Sequence, residues 1–241
     1  MNSYLKNKIK IEKLSKSYDN IEVIKDISIS VDEGEFVSIV GPSGCGKTTI
    51  FNVLTNIEKY DTGEIEMNGL YSYMYQKDLL LPYKSIIDNV SLPILLKKGN
   101  KLKSKDKKNA REYVSKYFRE FGLEGYEYKY PHELSGGMKQ RASFLRTYID
   151  SNDIMLLDEP FGALDSITKS SMQNWLLKLK DKVKPTILLI THDIEEAIKL
   201  SDKIYVISNK PSQVKKEYKI NKSITDIEKF NLKNEILHLL N

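Results

Sequence analysis

Phe36-Val37-Ser38-Ile39-Val40 runs directly into Gly41-Pro42-Ser43-Gly44-Cys45-Gly46-Lys47-Thr48, and the reading of this stretch decides the fold. The first five residues have the largely apolar character of a buried strand. The next eight fit the phosphate-loop pattern G-x-x-x-x-G-K-[ST], and Thr48 to Ile57 has helical spacing. Strand, glycine-rich loop and helix in that order let backbone N–H groups close around phosphate oxygens at the helix N-terminus. Lys47 then balances the charge of the β- and γ-phosphates and the Thr48 hydroxyl ligates Mg2+, with Thr49 in the same binding turn. A glycine-rich turn matching by chance would lack the flanking strand and helix. Cys45 allows a reactive thiol at a helix N-terminus, but a small loop residue whose backbone does the binding is the simpler reading.

Outward from the loop, Ile154-Met155-Leu156-Leu157-Asp158-Glu159 is an apolar strand ending in two carboxylates. Neighbouring side chains on a strand end point in different directions. Asp158 therefore suits the Mg2+ shell and Glu159 the base that polarises an attacking water. Thr186 to Ile190 is another buried strand, and Ile167 to Lys182 between them has helical spacing with Trp175, Leu176 and Leu179 on one face. Upstream, Lys8 to Ser17 and Glu22 to Val31 alternate apolar and polar as half-buried antiparallel strands do, and Glu33-Gly34-Glu35 is a turn. Leu79 to Ile149 is mostly helical in pattern, with interruptions expected at Pro82, Pro93 and a lysine-rich loop. Tyr205 to Ser208 and Gln213 to Ile220 read as a strand pair, and Ile224 to Leu240 as an amphipathic terminal helix. Buried strands alternating with helices predict a mostly parallel α/β core. The expected division of the single 1–241 domain is a core over 8–78 and 150–210 carrying an N-terminal antiparallel β subdomain, an inserted helical subdomain over 79–149, and a C-terminal hairpin and helix over 211–241.

Bulk properties exclude several classes. With 241 residues, 40% hydrophobic and 29% charged, the chain is long enough for one sizeable core and is not disordered in composition. Its net charge of +5 is too modest and too dispersed to indicate a nucleic-acid binder. The densest basic run, Lys97 to Lys108, reads as a solvated loop and helix start, with contact to an anionic surface as the alternative. A single cysteine excludes an internal disulfide, no apolar segment follows Met1-Asn2-Ser3-Tyr4-Leu5-Lys6, and no window approaches a spanning helix. The expectation is a cytoplasmic protein whose membrane contact is peripheral.

The third motif is Leu134-Ser135-Gly136-Gly137-Met138-Lys139-Gln140-Arg141, where a Ser-Gly-Gly step before a helix presents a hydroxyl and free N–H groups to an anion, or simply caps the helix. The order of these three motifs resembles the ATP-binding-cassette (ABC) ATPase family over about residues 8–215. Leu134 to Gln140 looks like that family's signature, Gln76 falls in its glutamine loop, Ala163-Leu164-Asp165 resembles its D-loop, and His192 its switch histidine. Tyr18 falls where an aromatic residue stacks on adenine.

The resemblance implies a P-loop NTPase core of ABC type, with ATP and Mg2+, in a head-to-tail homodimer. The phosphate loop of one copy would face Ser135, Gly136 and Gly137 of the other. Gln76 would sense Mg2+ and the water, His192 would contact the γ-phosphate, and Asp165 would communicate between sites. Pro160 to Asp165 resembles importer ATPases, and Leu79 to Val90 resembles the nitrate, sulfonate and taurine importer group with its relatives for thiamine-precursor pyrimidines. The implied partners are membrane permease subunits and a solute-binding protein, with Leu81 and Tyr83 expected in the docking cleft. Two features depart from that group: only six residues separate Gly69 from Gln76, and Arg141-Ala142-Ser143-Phe144-Leu145-Arg146 lacks the usual small and aliphatic pattern. An ABC exporter is one alternative. A soluble ABC ATPase acting on nucleic acid is another, but the coiled-coil or zinc-binding insertions and fused second cassette of that class are absent.

Overall fold

In the computed structural model, which describes residues 7–150, 153–221 and 223–240, two sheets carry the fold. The expectation for Met1 to Lys6 lies outside the described residues. The smaller sheet is antiparallel, ordered β2-β1-β4, from β1 (Asn7–Tyr18), β2 (Ile21–Asp32) and β4 (Thr62–Met67). The larger has six strands, β5-β6-β7-β3-β8-β9: β5 (Tyr71–Met74), β6 (Ile154–Asp158), β7 (Thr186–Thr191), β3 (Phe36–Val40), β8 (Lys203–Ile207) and β9 (Val214–Lys219). All its neighbours pair in parallel except β8 with β9. Every residue of β3, β6, β7 and β8 is buried. Helices must therefore cover both faces, which is why these strands read as continuous apolar runs rather than alternating ones.

The helices are α1 (Lys47–Leu54), α2 (Ile86–Leu96), α3 (Ser104–Phe118), α4 (Gly136–Asp150), α5 (Ser166–Val183), α6 (Ile194–Leu200) and α7 (Asp226–Leu240). One apolar cluster joins Ile9, Ile11 and Leu14 of β1 to Ile50 and Phe51 of α1 and to Val37 and Ile39 of β3, so α1 is clamped between the two sheets. A second gathers Met155, Leu157, Ile187 and Leu189 with Val90 of α2, Phe144 of α4 and Leu176 of α5. Trp175 sits edge-on to Phe121, Phe144 and Tyr148, binding α5 to α4, and Leu176 and Leu179 share its buried face as the spacing predicted.

Four expectations need correction. The helix after the phosphate loop ends at Leu54, not Ile57, because Asn56 takes a left-handed φ of 57° that no continuing helix tolerates. Pro93 does not interrupt α2. It lies near the C-terminal end, where the helix loses one donor while Lys97 N–H still reaches the Pro93 carbonyl at 3.1 Å, and buried Ile86, Ile87 and Val90 anchor the rest. Residues 119–135 hold turns and a short 3-10 helix rather than α-helix. The terminal helix is only weakly amphipathic: Ile236 is its one fully buried residue, and Ile227 and Phe230 stand exposed.

Candidate active site

Strand register brings the site together. Val40 pairs with Thr191, Asp158 with Ile190 and Met74 with Leu157, so β3, β5, β6 and β7 all end level at their carboxyl ends. Ligands of open α/β sheets bind at such an edge. Two residues beyond the Met74–Leu157 pair come Gln76 and Glu159, and the pairing delivers them side by side.

The phosphate loop is built against β8. A Cβ on Gly41 would stand 2.5 Å from Ile207 Cγ1 and 3.1 Å from Cys45 Sγ, so only glycine lets the loop lie this close. Gly46 caps α1 with φ of 113°, closed to ordinary side chains. The buried Lys47 ammonium donates to the carbonyls of Gly41 and Pro42, both at 2.8 Å, and closes the loop on itself. Ser43, Gly44 and Thr48 are exposed on its open side, and Thr49 is half-buried. Cys45 is buried, which removes the reactive-thiol reading. Ser212 was not singled out by sequence: its hydroxyl donates to the Cys45 carbonyl, its N–H donates to Val23 at 2.9 Å and its carbonyl accepts from Lys25 at 3.0 Å. It pins the loop to β2.

Thr48 Oγ1 donates to Asp158 Oδ2 at 2.9 Å. Burial pushes the Asp158 carboxyl up to about 6; the Thr48 hydrogen bond and Lys47 pull the other way, and neighbouring Glu159 adds to the rise. Glu159 takes a left-handed φ of 47°, held by its N–H to the Ile190 carbonyl at 2.9 Å. That turn costs on the order of 1 kcal/mol. Glu159 Oε2 accepts from Gln76 Nε2 at 3.2 Å, and Oε1 lies 3.3 Å from His192 Nδ1. A carboxylate between an amide and an imidazole, beside a hydroxyl–carboxylate pair at a phosphate loop, suits a base that polarises water next to a phosphoryl group.

The remaining expected residues lie apart from this centre. Ser135 Oγ accepts from Met138 N–H at 3.3 Å and so caps α4, as the simpler reading held, and Gly136 has open space above it. Gly137 approaches the Ala163 carbonyl and Leu164. Among the described residues no hydrogen bond joins Ser135, Gly136 or Gly137 to the loop of their own chain. Asp165 caps α5, and backbone N–H bonds, chiefly from Thr168 at 3.0 Å, hold its carboxyl below the usual range. Tyr18 is partly exposed at the end of β1, with its hydroxyl on Glu58 and the Lys16 ammonium 4.9 Å from its ring centre.

Two supporting residues escaped the sequence. Arg146 of α4 donates to the Asp78 and Leu79 carbonyls, both at 2.8 Å, just past Gln76. Buried Asn89 bonds Leu81, Lys84 and Ser85 and shapes the segment before α2. A hollow of about 440 Å3 opens nearby, lined among others by Tyr75, Leu79, Leu92, Pro93 and Leu96. Neither Leu81 nor Tyr83 lines it. Leu81 is pinned to Asn89 through its backbone, and Tyr83 is 72% exposed.

Comparison with known proteins shows which family the chain is similar to. The family model described as ABC transporter matches residues 24–162. The formylaminopyrimidine import ATP-binding protein ThiZ of Halalkalibacterium halodurans is 45% identical over 210 residues, 86% of this chain and 82% of the relative. The aliphatic sulfonates import ATP-binding protein SsuB of Bacillus cereus is 34% identical over 210 residues, 84% of this chain and 80% of the relative. Among solved structures, the dimeric bacterial ABC transporter cassette MJ0796 superposes with a TM-score of 0.79 at 29% identity, over 88% of this chain and 99% of that one.

Proposed function

The chain belongs to the ABC transporter family and is an ATPase, and on that premise we propose that it powers a membrane importer of a small solute by closing head-to-tail on a second copy of itself. One observation carries the catalytic reading: Glu159 stands between Gln76 and His192, at 3.2 and 3.3 Å, beside the Thr48–Asp158 pair.

The residues then divide the work. Backbone N–H groups of the loop from Ser43 to Thr49 hold the phosphates of ATP, with Tyr18 against the adenine. Lys47 turns from the Gly41 and Pro42 carbonyls to the β- and γ-oxygens. Thr48 and Asp158 present hard oxygen donors 2.9 Å apart, the donor type Mg2+ takes, and Gln76 offers a third. Bound there, Mg2+ supplies neutralisation of the phosphate charge. Glu159 takes the proton of the attacking water, Gln76 orients that water, and His192 donates to the γ-phosphate. The N-terminus of α4, with Ser135, Gly136 and Gly137 unengaged by their own loop, serves the partner's ATP, and Asp165 faces the junction between the two sites.

The dimeric arrangement of MJ0796 supports the pairing, and the names of ThiZ and SsuB support import. Residues 79–149 form the helical lobe of the proposed architecture, 8–78 and 150–210 its core, and 211–241 its terminal appendage. Among the described residues no helix is long and apolar enough to cross a membrane. In the proposed assembly the chain meets membrane permease subunits on the cytoplasmic face, together with a solute-binding protein and without nucleic acid.

The test is Glu159→Gln. It should keep ATP binding, lower turnover by roughly 10²- to 10⁴-fold, the usual weight of a general base, and trap an ATP-bound dimer visible by light scattering. Wild-type turnover in this variant would remove Glu159 from the chemistry.

A further inference from the structure

We propose that Lys169 is a positioning residue that ties the Asp165 turn to the loop carrying His192, so that the two move as one unit when the paired site closes. The inference rests on the head-to-tail reading above.

Lys169 is rigidly attached at the Asp165 end. It lies one turn into α5, its N–H donates to the Asp165 carbonyl at 2.8 Å, and Asp165 also caps that turn through Thr168. Its ammonium then crosses to the next element. It stands 2.6 Å from Asp193 Oδ2 and 3.8 Å from Glu196 Oε2. Asp193 directly follows His192, and Glu196 lies one turn further on. Asp193 Oδ1 accepts from Glu196 N–H at 3.1 Å, Glu196 Oε2 accepts from the Thr191 hydroxyl at 2.6 Å, and Thr191 Oγ1 accepts from Asp193 N–H at 3.0 Å.

The result is a closed ring around residues 191–196. The side chains on both sides of His192 are consumed by it, while the imidazole stays 54% exposed and free to address a ligand. Lys169 is the cation this ring receives from α5.

Packing alone does not require it. Gln173 and Lys199 already join α5 to α6 at 3.0 Å, and apolar contacts hold both helices to the sheet. Glu196 is only 4% exposed, and its Oε1 has no hydrogen-bond partner. Burying a carboxylate beside an acidic neighbour is unfavourable unless a cation is near. Burial raises the Asp193 carboxyl, but Lys169 and the backbone N–H groups outweigh it and leave it below its ordinary value. A cation held on the carboxylate next to His192 sets the position of that loop.

The test compares Lys169→Met, Lys169→Arg and Lys199→Met in the full chain. Lys169→Met should leave the KM for ATP within about twofold and lower kcat by about ten- to a hundredfold, the effect of misplacing a reacting group. It should also drop the Hill coefficient for ATP from about two toward about one. Lys169→Arg should restore most of both, and Lys199→Met, which cuts only the packing link, should change neither. If Lys169→Met does not accumulate folded, Asp193→Asn removes the same ion pair from the other side and should give the same split.

Wild-type kcat and cooperativity in Lys169→Met, or equal losses in Lys199→Met, would overturn the proposal while a trapped Glu159→Gln dimer left the underlying reading standing. No trapped dimer and no cooperativity in the wild type would remove both.

Discussion

Asp158, Glu196 and Asp165 are carboxylates in or around the candidate site, and burial sets their protonation apart. Asp165 is exposed and held low by backbone N–H groups, whereas burial raises Asp158 to about 6 and Glu196 to about 7. For Glu196 the consequence is measurable. Its carboxyl is raised above the ordinary 4.5, so its contribution to stability is complete below pH 4.5 and is lost as pH rises through about 7. The loss runs at about 1.4 kcal/mol per pH unit, some 3 kcal/mol in all. Urea midpoints at pH 5 and pH 8 should fall for the wild type relative to Glu196→Gln, and equal changes in both chains would contradict the assignment. Nothing in Asp193-Ile194-Glu195-Glu196 distinguishes the buried acid from its exposed neighbour. Only the packing of α6 on β7 decides which of the two glutamates is inside.

At the scale of elements, α4 is a rod. Its fifteen residues span about 22 Å, with the Ser135–Gly137 end open at one tip and Arg146 gripping the chain after Gln76 near the other. On the proposed head-to-tail pairing, movement at Gln76 would pass along this rigid element to the end that serves the partner site. Arg146→Met should cost about 2–4 kcal/mol of stability through two lost charge-assisted bonds. It should also lower turnover while leaving nucleotide affinity at the phosphate loop within severalfold, read by urea unfolding and a fluorescent ATP analogue. A variant with reduced stability but unchanged turnover would make Arg146 purely structural. The atypical Ala142-Ser143-Phe144-Leu145 run has a packing reason: Phe144 meets Phe121, Phe161 and Trp175 edge-on, and this aromatic cluster fastens α4 to α5.

At the scale of the whole molecule, a concave and largely apolar surface lies beside the catalytic edge. The 440 Å3 hollow lies between α2, α4 and the segment after Gln76, and Leu96 at its rim is 68% exposed. Apolar exposure of this kind marks a contact surface, and on the proposed transporter role it would receive a permease segment. Leu96→Asp should abolish co-purification with the permease and solute-binding protein while soluble ATPase activity persists. Tyr83→Asp, outside the hollow, should leave association intact. Retained association in Leu96→Asp would move the docking surface elsewhere.

The fold class and the chemical groups were legible in the chain because they are local. A phosphate loop needs its own strand and helix within twenty residues, buried parallel strands need unbroken apolar runs, and a carboxylate pair at the end of Ile154–Asp158 declares itself by position. β4, β5 and α6 were not legible. β4 and β5 are short strands near sheet edges, where pairing rather than apolar period decides the structure, and α6 spans only seven residues. What the sequence could not state was adjacency between distant segments. Gln76 meets Glu159 because Met74 pairs with Leu157. Ser212 locks Cys45 across 167 residues, and Lys169 finds Asp193 because α5 and α6 pack beside each other. Such contacts are set by strand register and by which helix face the core buries, and both are properties of the assembled sheet rather than of any single segment.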